Sequence, residues 1–285
     1  MTRQYKSWYI AIITGSLLVV NFFLGHAQER IIPRPSSAQT ILQQLGTSSL
    51  KINYSRPNTK DRKIFGTLVP YGEIWRTGAD KLTDITVEKE ITFGGKLLPK
   101  GRYSLLSIPE KRKWTIIINR QPDLWGDAGY NPADDVFRLA VVPQKLKEKQ
   151  ETMQIGFENV TAFTADLEIR WDKTKIVIPL AINQDKEIEM AIEKAISEGK
   201  KPYVEAAIFY LNNGKDLKKP LEWMTLAEKE TKDKPYVYYW KAMVEKGLGM
   251  KKEALENAIT SLRLAEEQGN KDYIRMNNAL IKKLK

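Results

Sequence analysis

Residues 165–180 read Ala165-Asp166-Leu167-Glu168-Ile169-Arg170-Trp171-Asp172-Lys173-Thr174-Lys175-Ile176-Val177-Ile178-Pro179-Leu180. Leu167, Ile169 and Trp171 alternate with charged neighbours, and Ile176, Ile178 and Leu180 resume the alternation after a polar interval. A period of two sends successive side chains to opposite faces of an extended chain, so each half predicts a strand with one buried face. The interval Asp172-Lys173 predicts a tight hairpin between them. The same signature runs back along the chain through Leu50, Ile52 and Tyr54, then Ile85 and Val87, then Tyr103 and Leu105. Trp114, Ile116 and Ile118 continue it, followed by Met153, Ile155 and Phe157. Gly94-Gly95 and Pro99-Lys100-Gly101 punctuate these runs as turns. About eight short strands on short connections predict an antiparallel β-sandwich or jelly-roll-like domain over 49–181, not a parallel sheet. Two longer irregular stretches, 55–82 and 120–135, interrupt it, and long loops on a β scaffold are where function concentrates.

Beyond Pro179 the pattern changes. Ile188, Ala191, Ile192, Ala195 and Ile196 fall on one face of a helix spanning 187–198. Helical runs follow over 203–212, 217–231, 235–247, 251–268 and 271–284, separated by Gly199, Asn213-Gly214, Pro235 and Gly247/Gly249. The chain is therefore expected to be an α+β multidomain protein, with an all-α helical-hairpin domain over 187–285. Tyr203 and Tyr236 open corresponding helices, as do Leu221 and Leu255 in the next ones, at the spacing of a tetratricopeptide repeat. The second unit resembles that repeat at Ala242, Leu248-Gly249 and Ala254, although the Trp, Tyr and Pro positions of the consensus are incompletely filled. A plain helical bundle is the alternative.

The N-terminus carries Arg3 and Lys6, an apolar stretch over 8–25, and small residues at Gly25 and Ala27. This predicts a signal peptide over 1–27, cleaved before Gln28, and an exported protein, periplasmic or secreted. An uncleaved membrane anchor is the alternative, since the apolar stretch approaches a spanning length. Residues 28–48, with Pro33 and Pro35, are expected to be an extended leader. The chain has no Cys, and its one His, His26, lies inside the signal. The mature chain then excludes Cys–His and Ser–His–Asp catalysis, thiolate chemistry and the usual zinc sites. Carboxylate pairs, Ser–Lys pairs, Tyr and oxygen-ligated cations remain. No motif asks for a cofactor or a metal. The net charge is +11, and removing Arg3 and Lys6 leaves about +9. An exported basic protein meets anionic polysaccharide or lipid headgroups, not nucleic acid. The basic residues are interleaved with acidic ones, as on an ordinary solvated surface.

One long segment carries a resemblance. It runs from Tyr54-Ser55-Arg56-Pro57 through Val69-Pro70-Tyr71-Gly72-Glu73-Ile74-Trp75-Arg76-Thr77-Gly78-Ala79. It continues through Gly95-Lys96-Leu97-Leu98-Pro99-Lys100-Gly101-Arg102-Tyr103-Ser104-Leu105, Trp114-Thr115-Ile116-Ile117-Ile118-Asn119, Trp125-Gly126, Tyr130, Asp135, Arg138 and 165–171. Over about residues 48–180 the chain resembles the bacterial family known as domain of unknown function 2911. The resemblance implies an exported envelope protein, often with a helical repeat tail, and supplies no catalytic residue. Where the family pattern has Gly-Ala-Asn-Glu, this chain has Gly78-Ala79-Asp80-Lys81. A family site that used that Glu would be altered here.

The loop-rich stretch gathers Tyr54, Arg56, Lys60, Arg62, Tyr71, Trp75, Arg76 and Asp80. Flat rings and guanidinium forks suit an anionic or sugar ligand. The structural alternative is that Trp75 and Phe65 plug the end of the sandwich while Arg76 ties a loop. The second stretch carries Asp123, Trp125, Asp127, Tyr130, Asp134 and Asp135. These suit general acid–base work on a glycosidic bond or an oxygen-ligated cation, against ordinary turn chemistry for Asp. The leading expectation is a non-catalytic envelope protein that binds a ligand, such as an anionic glycan, through 54–82 and another envelope protein through its helices. The competing one is a carboxylate-dependent hydrolase acting on a glycan with two of Asp80, Asp123, Asp127, Asp134 and Asp135.

Overall fold

A computed structural model describes residues 32–285. The expected signal peptide, its cleavage point and residues 28–31 of the leader lie outside the described residues. The chain divides into two compact units, which meet at Ile182 and Asn183 in the sequence. Each is described by itself.

Among the described residues ten strands form the first unit: β1 (Ser37–Leu45), β2 (Ser48–Arg56), β3 (Thr83–Val87), β4 (Ile91–Phe93), β5 (Lys96–Leu98), β6 (Gly101–Ile108), β7 (Trp114–Asn119), β8 (Asp135–Val141), β9 (Gln144–Glu158) and β10 (Thr164–Ala181). They build a six-stranded antiparallel sheet, β1-β2-β3-β6-β7-β8, and a four-stranded one, β5-β4-β10-β9. The register aligns the apolar residues in rows. Ile52 lies opposite Ile85, Leu105 opposite Ile118, and Ile116 opposite Leu139. In the smaller sheet Ile155 faces Ile169 and Phe93 faces Leu180. These inner faces share one core, which is what period-two alternation demands of a sandwich.

Three features depart from the sequence reading. Residues 37–45, expected in a leader ending at 48, form edge strand β1, paired with β2 along its whole length. The expected hairpin at Asp172-Lys173 is instead the interior of β10, where the register against β9 shifts on either side of Asp172, which has φ 51°. A bulge re-phases the alternation without reversing the chain. The third departure is β7, which is buried on both faces. Ile116 and Ile118 enter the main core, while Ile117 joins Leu82 and Leu106 in a smaller cluster packed by Ile74, Leu124 and Tyr130. The two long loops therefore cover part of the outer face of the large sheet.

Beyond Arg56 the chain of β2 leaves the large sheet and pairs with the outer edge of β9. Met153 N donates to Pro57 O (2.9 Å), Thr59 N donates to Glu151 O (2.9 Å), and Asn58 bridges Thr152. Glu151 holds this turn by accepting from the Thr59 hydroxyl and from Lys60 N at 2.8 Å, contacts that draw its carboxyl below the ordinary range.

The second unit has six helices: α1 (Asp185–Ser197), α2 (Tyr203–Asn212), α3 (Lys218–Glu230), α4 (Pro235–Gly247), α5 (Lys251–Glu267) and α6 (Lys271–Leu284). Their apolar stripes meet in successive clusters. Ile192 packs with Tyr210 and Trp223, Ala207 with Met224 and Val237, and Tyr239 and Ala242 with Ala254, Ala258 and Leu280. Fully buried alanines at 207, 242, 254 and 258 let the backbones approach closely. Alternate helices α2 and α4, and α4 and α6, are also neighbours. Ser261 Oγ donates to Pro235 O (2.7 Å) and accepts from Asn277 Nδ2 (2.8 Å), which ties α5 to α4 and α6. Among the described residues no helix is long and apolar enough to cross a membrane.

Candidate functional site

The loop 57–82 is fixed by backbone pairing and by buried rings. Trp75 N donates to Ser107 O (2.7 Å) and Ser107 N donates to Trp75 O (2.9 Å), a two-bond clip onto β6. The Trp75 ring, 8 % exposed, stacks on Trp171 at 5.7 Å and meets Phe65 and Trp114 edge-on at 6.0 Å each. Its Nε1 donates to Gly78 O at 3.0 Å. These contacts make it the plug of the sandwich end, with one edge left for a cleft.

Four non-glycine residues of the loop adopt left-handed backbone: Lys60, Asp61, Thr77 and Asp80, with φ between 47° and 59°. Asp tolerates this conformation, but β-branched Thr77 is strained there. The strain is held in place because Thr77 is fully buried, shares a hydrogen bond with Ser107 Oγ (2.9 Å) and accepts from Thr83 Oγ1 at its carbonyl (2.7 Å).

The loop frames a cleft of about 370 Å³ that gathers Lys60, Arg62, Trp75, Arg76 and Asp80, together with Trp171 and Pro35. The arginines are set in place before any ligand arrives. Arg62 donates from Nε to Thr59 O (2.9 Å) and from Nη2 to Asn58 O (2.7 Å), and Arg76 Nη1 donates to Asp80 O (2.9 Å). A guanidinium has five N–H donors, so each keeps some for a ligand. Gly126, at φ 73°, lies flat against Arg76, and a Cβ there would come within 3.2 Å of Nη1. Asp80 is paired with Arg34 at 3.3 Å. The Arg34 guanidinium also sits 4.5 Å from the ring centre of Trp125.

Tyr54 and Arg56 stand on β2 and do not line this cleft. The Tyr54 hydroxyl donates to Gln39 Oε1 (2.6 Å) and accepts from Ile155 N (2.9 Å), joining the two sheets, and burial pushes its pKa up. Arg56 Nε donates to Met153 O at 3.0 Å. The second-loop carboxylates are not brought together. Asp123 pairs with Arg102 (2.8 Å), and Asp134 accepts from Gln121 (3.3 Å). Asp135 accepts from Asn119 (2.9 Å), the Tyr130 hydroxyl and Arg138 Nε (2.7 Å), so it anchors its own loop. Burial first, then the bond to Asp135, raises the Tyr130 pKa. Asp127 is exposed beside a small cavity of about 150 Å³ that also touches Glu73 and Arg76. Among the described residues no cluster of three or more Asp, Glu or His is placed to hold a metal.

Sequence reasoning missed Arg34 and Trp171. Arg34 lies between two prolines in a segment read as leader. Trp171 reads from the sequence as a core position alone, and the change of phase at Asp172 beside it reads as a hairpin.

A two-sheet antiparallel β domain with an open, cation-lined cleft, followed by a helical unit, is the class of protein these features define. The chain belongs to the family described as protein of unknown function (DUF2911), whose profile matches residues 36–180. No curated protein and no solved structure shows a significant match.

Proposed function

We propose that the β domain is a non-catalytic binding module for an anionic ligand of the glycan type, held in the cleft of the 57–82 loop. The supporting observation is the charge of the cleft. Among the described residues Lys60, Arg62 and Arg76 line it against a single carboxylate, Asp80, which Arg34 already neutralises. A pre-positioned, net-positive cleft with an indole edge in its wall suits carboxylate or phosphate groups on a sugar. The glycosidase alternative has less support, because its two carboxylates are needed in one cleft and Asp80 is the one among the described lining residues.

The reading extends to an exported envelope protein, supported by the N-terminal sequence signature, whose helical unit docks a protein partner. Paired helices with α2, α4 and α6 side by side support a tetratricopeptide-like arrangement for that unit.

Trigalacturonate titrated into the full chain by calorimetry tests the cleft. Binding should weaken steeply with salt and fall about tenfold for each of Lys60→Gln and Arg76→Gln, the cost of losing one charge-assisted contact. No binding at low salt, or binding unaltered by both substitutions, overturns the assignment.

A further inference from the structure

A second cavity, of about 560 Å³, opens beside the cleft and is bounded by Pro33, Arg34, residues 36–40 and 53–55, Lys81, Leu82 and Asp84. Its size lies within the range of small-ligand sites. Its floor is a row of cross-strand partners on the face of the large sheet turned away from the core: Thr40 opposite Asn53, and Asn53 opposite Asp84. The row is locked by hydrogen bonds. Thr40 Oγ1 donates to Asn53 Oδ1 at 2.7 Å, and Asn53 Nδ2 donates to Asp84 Oδ1 at 2.9 Å. Arg102 donates to the same carboxylate from Nε (3.3 Å) and Nη2 (3.4 Å), so the charge of Asp84, only 7 % exposed, is already balanced. At the rim the backbone of Lys81 bridges that of Trp125. The indole of Trp125 is 53 % exposed although Arg34 packs against it.

We propose that this cavity is a saccharide subsite that takes a neutral, hydroxyl-rich sugar ring. A pyranose presents vicinal hydroxyls that both donate and accept, along with apolar C–H faces. Beyond the bonds that lock it, the row keeps one N–H of Asn53 as a donor and lone pairs on Thr40, Asn53 and Asp84 as acceptors for those hydroxyls. The locked geometry spares the ligand the entropy of ordering those groups. The charge of Asp84 is balanced by Arg102 and that of Arg34 by Asp80, so Lys81 is the remaining charge of the described lining, while the part of the neighbouring Trp125 indole that Arg34 leaves uncovered offers a flat apolar surface to a C–H face. The subsite is distinct from the cation-lined cleft, since among the described lining residues only Ser36 belongs to both. A saccharide carrying both neutral and acidic units would span the two by crossing Ser36. That spanning mode rests on the anionic-ligand reading above, but the neutral subsite does not.

The test is saturation-transfer NMR on the full chain with three neutral probes: maltotriose, cellotriose and chitotriose. At least one should receive saturation. Its affinity should fall about tenfold in Asn53→Leu, the cost of about one hydrogen bond to a sugar hydroxyl. Because Asn53→Leu disturbs the locked row and can perturb folding, Ala38→Trp is the second variant. Ala38 is an exposed position on edge strand β1, so the indole fills the cavity from outside and should abolish binding while far-UV circular dichroism stays unchanged. The triple variant Lys60→Gln/Arg62→Gln/Arg76→Gln should bind the neutral probe as before, even where it no longer binds trigalacturonate. The subsite is refuted if none of the three probes is saturated, if Ala38→Trp binds normally, or if the triple variant loses the neutral probe.

Discussion

Trp75 offers the sharpest single test, because its two possible roles differ in what its removal does. As the plug of the sandwich end, the ring has three aromatic partners: Phe65, Trp114 and Trp171. Truncating a buried Trp to Ala costs about 3–5 kcal/mol through lost transfer energy and the cavity left behind. Loss of the Nε1 bond to Gly78 O contributes about 1 kcal/mol of this. Domains of this size are stable by only about 5–15 kcal/mol. With a urea dependence of about 2 kcal/mol per molar, the unfolding midpoint of Trp75→Ala should drop by about 2 M. Trp75→Phe keeps most of the ring contact and should lose less than half as much. Near-ultraviolet circular dichroism reports on this aromatic cluster and is the assay. A midpoint lowered by less than about 0.5 M, together with loss of trigalacturonate binding, would show Trp75 to be a ligand platform and refute the packing argument.

Tyr54→Phe leaves the Ile155 N–H without its acceptor between the sheets and should cost about 1–3 kcal/mol, with faster amide exchange at Ile155 as the readout. Gly126→Ala puts a Cβ against the Arg76 guanidinium and forces a side chain into left-handed backbone, so trigalacturonate affinity should fall with little loss of β structure. Glu245 of α4 is 3 % exposed, and burial raises its pKa despite the bond from Asn257. The folded chain therefore binds this proton more tightly than the unfolded chain, and stability falls as pH rises from the ordinary carboxylate value through the raised one. Glu245→Gln should remove that slope and raise the melting temperature at about pH 7. A variant whose stability between about pH 4.5 and about pH 7 parallels the parent would refute it.

The helical unit was legible because its punctuation is chemical: Gly199, Gly214, Pro235 and Gly249 stand where the chain must leave or enter helical geometry. The β domain was legible wherever one face is buried. It became ambiguous at Asp172, where the apolar positions pass from odd to even numbers. A hairpin and a bulge produce the same change of phase, and only pairing with β9 separates them. β1 was hidden because an edge strand carrying Gln39, Thr40, Gln43 and Gln44 has little apolar alternation to show. The cleft was half legible: its cations announced themselves by density. Tyr54 and Arg56 lie near them in sequence, but the strand sends their polar atoms to β9. Arg34 could not be found from sequence, since its role depends on two loops that are remote from it along the chain.

The double burial of β7 bears on how the chain can vary. Leu106 and Ile117 are roofed by Leu124 and Tyr130 from the second long loop and by Ile74 from the first. Shortening either loop would strip the roof from a central strand and open its amides to solvent. These connections are therefore constrained in length, as surface loops seldom are. Tolerated insertions belong instead at the tip of the β6–β7 turn, where Lys111, Arg112 and Lys113 are exposed.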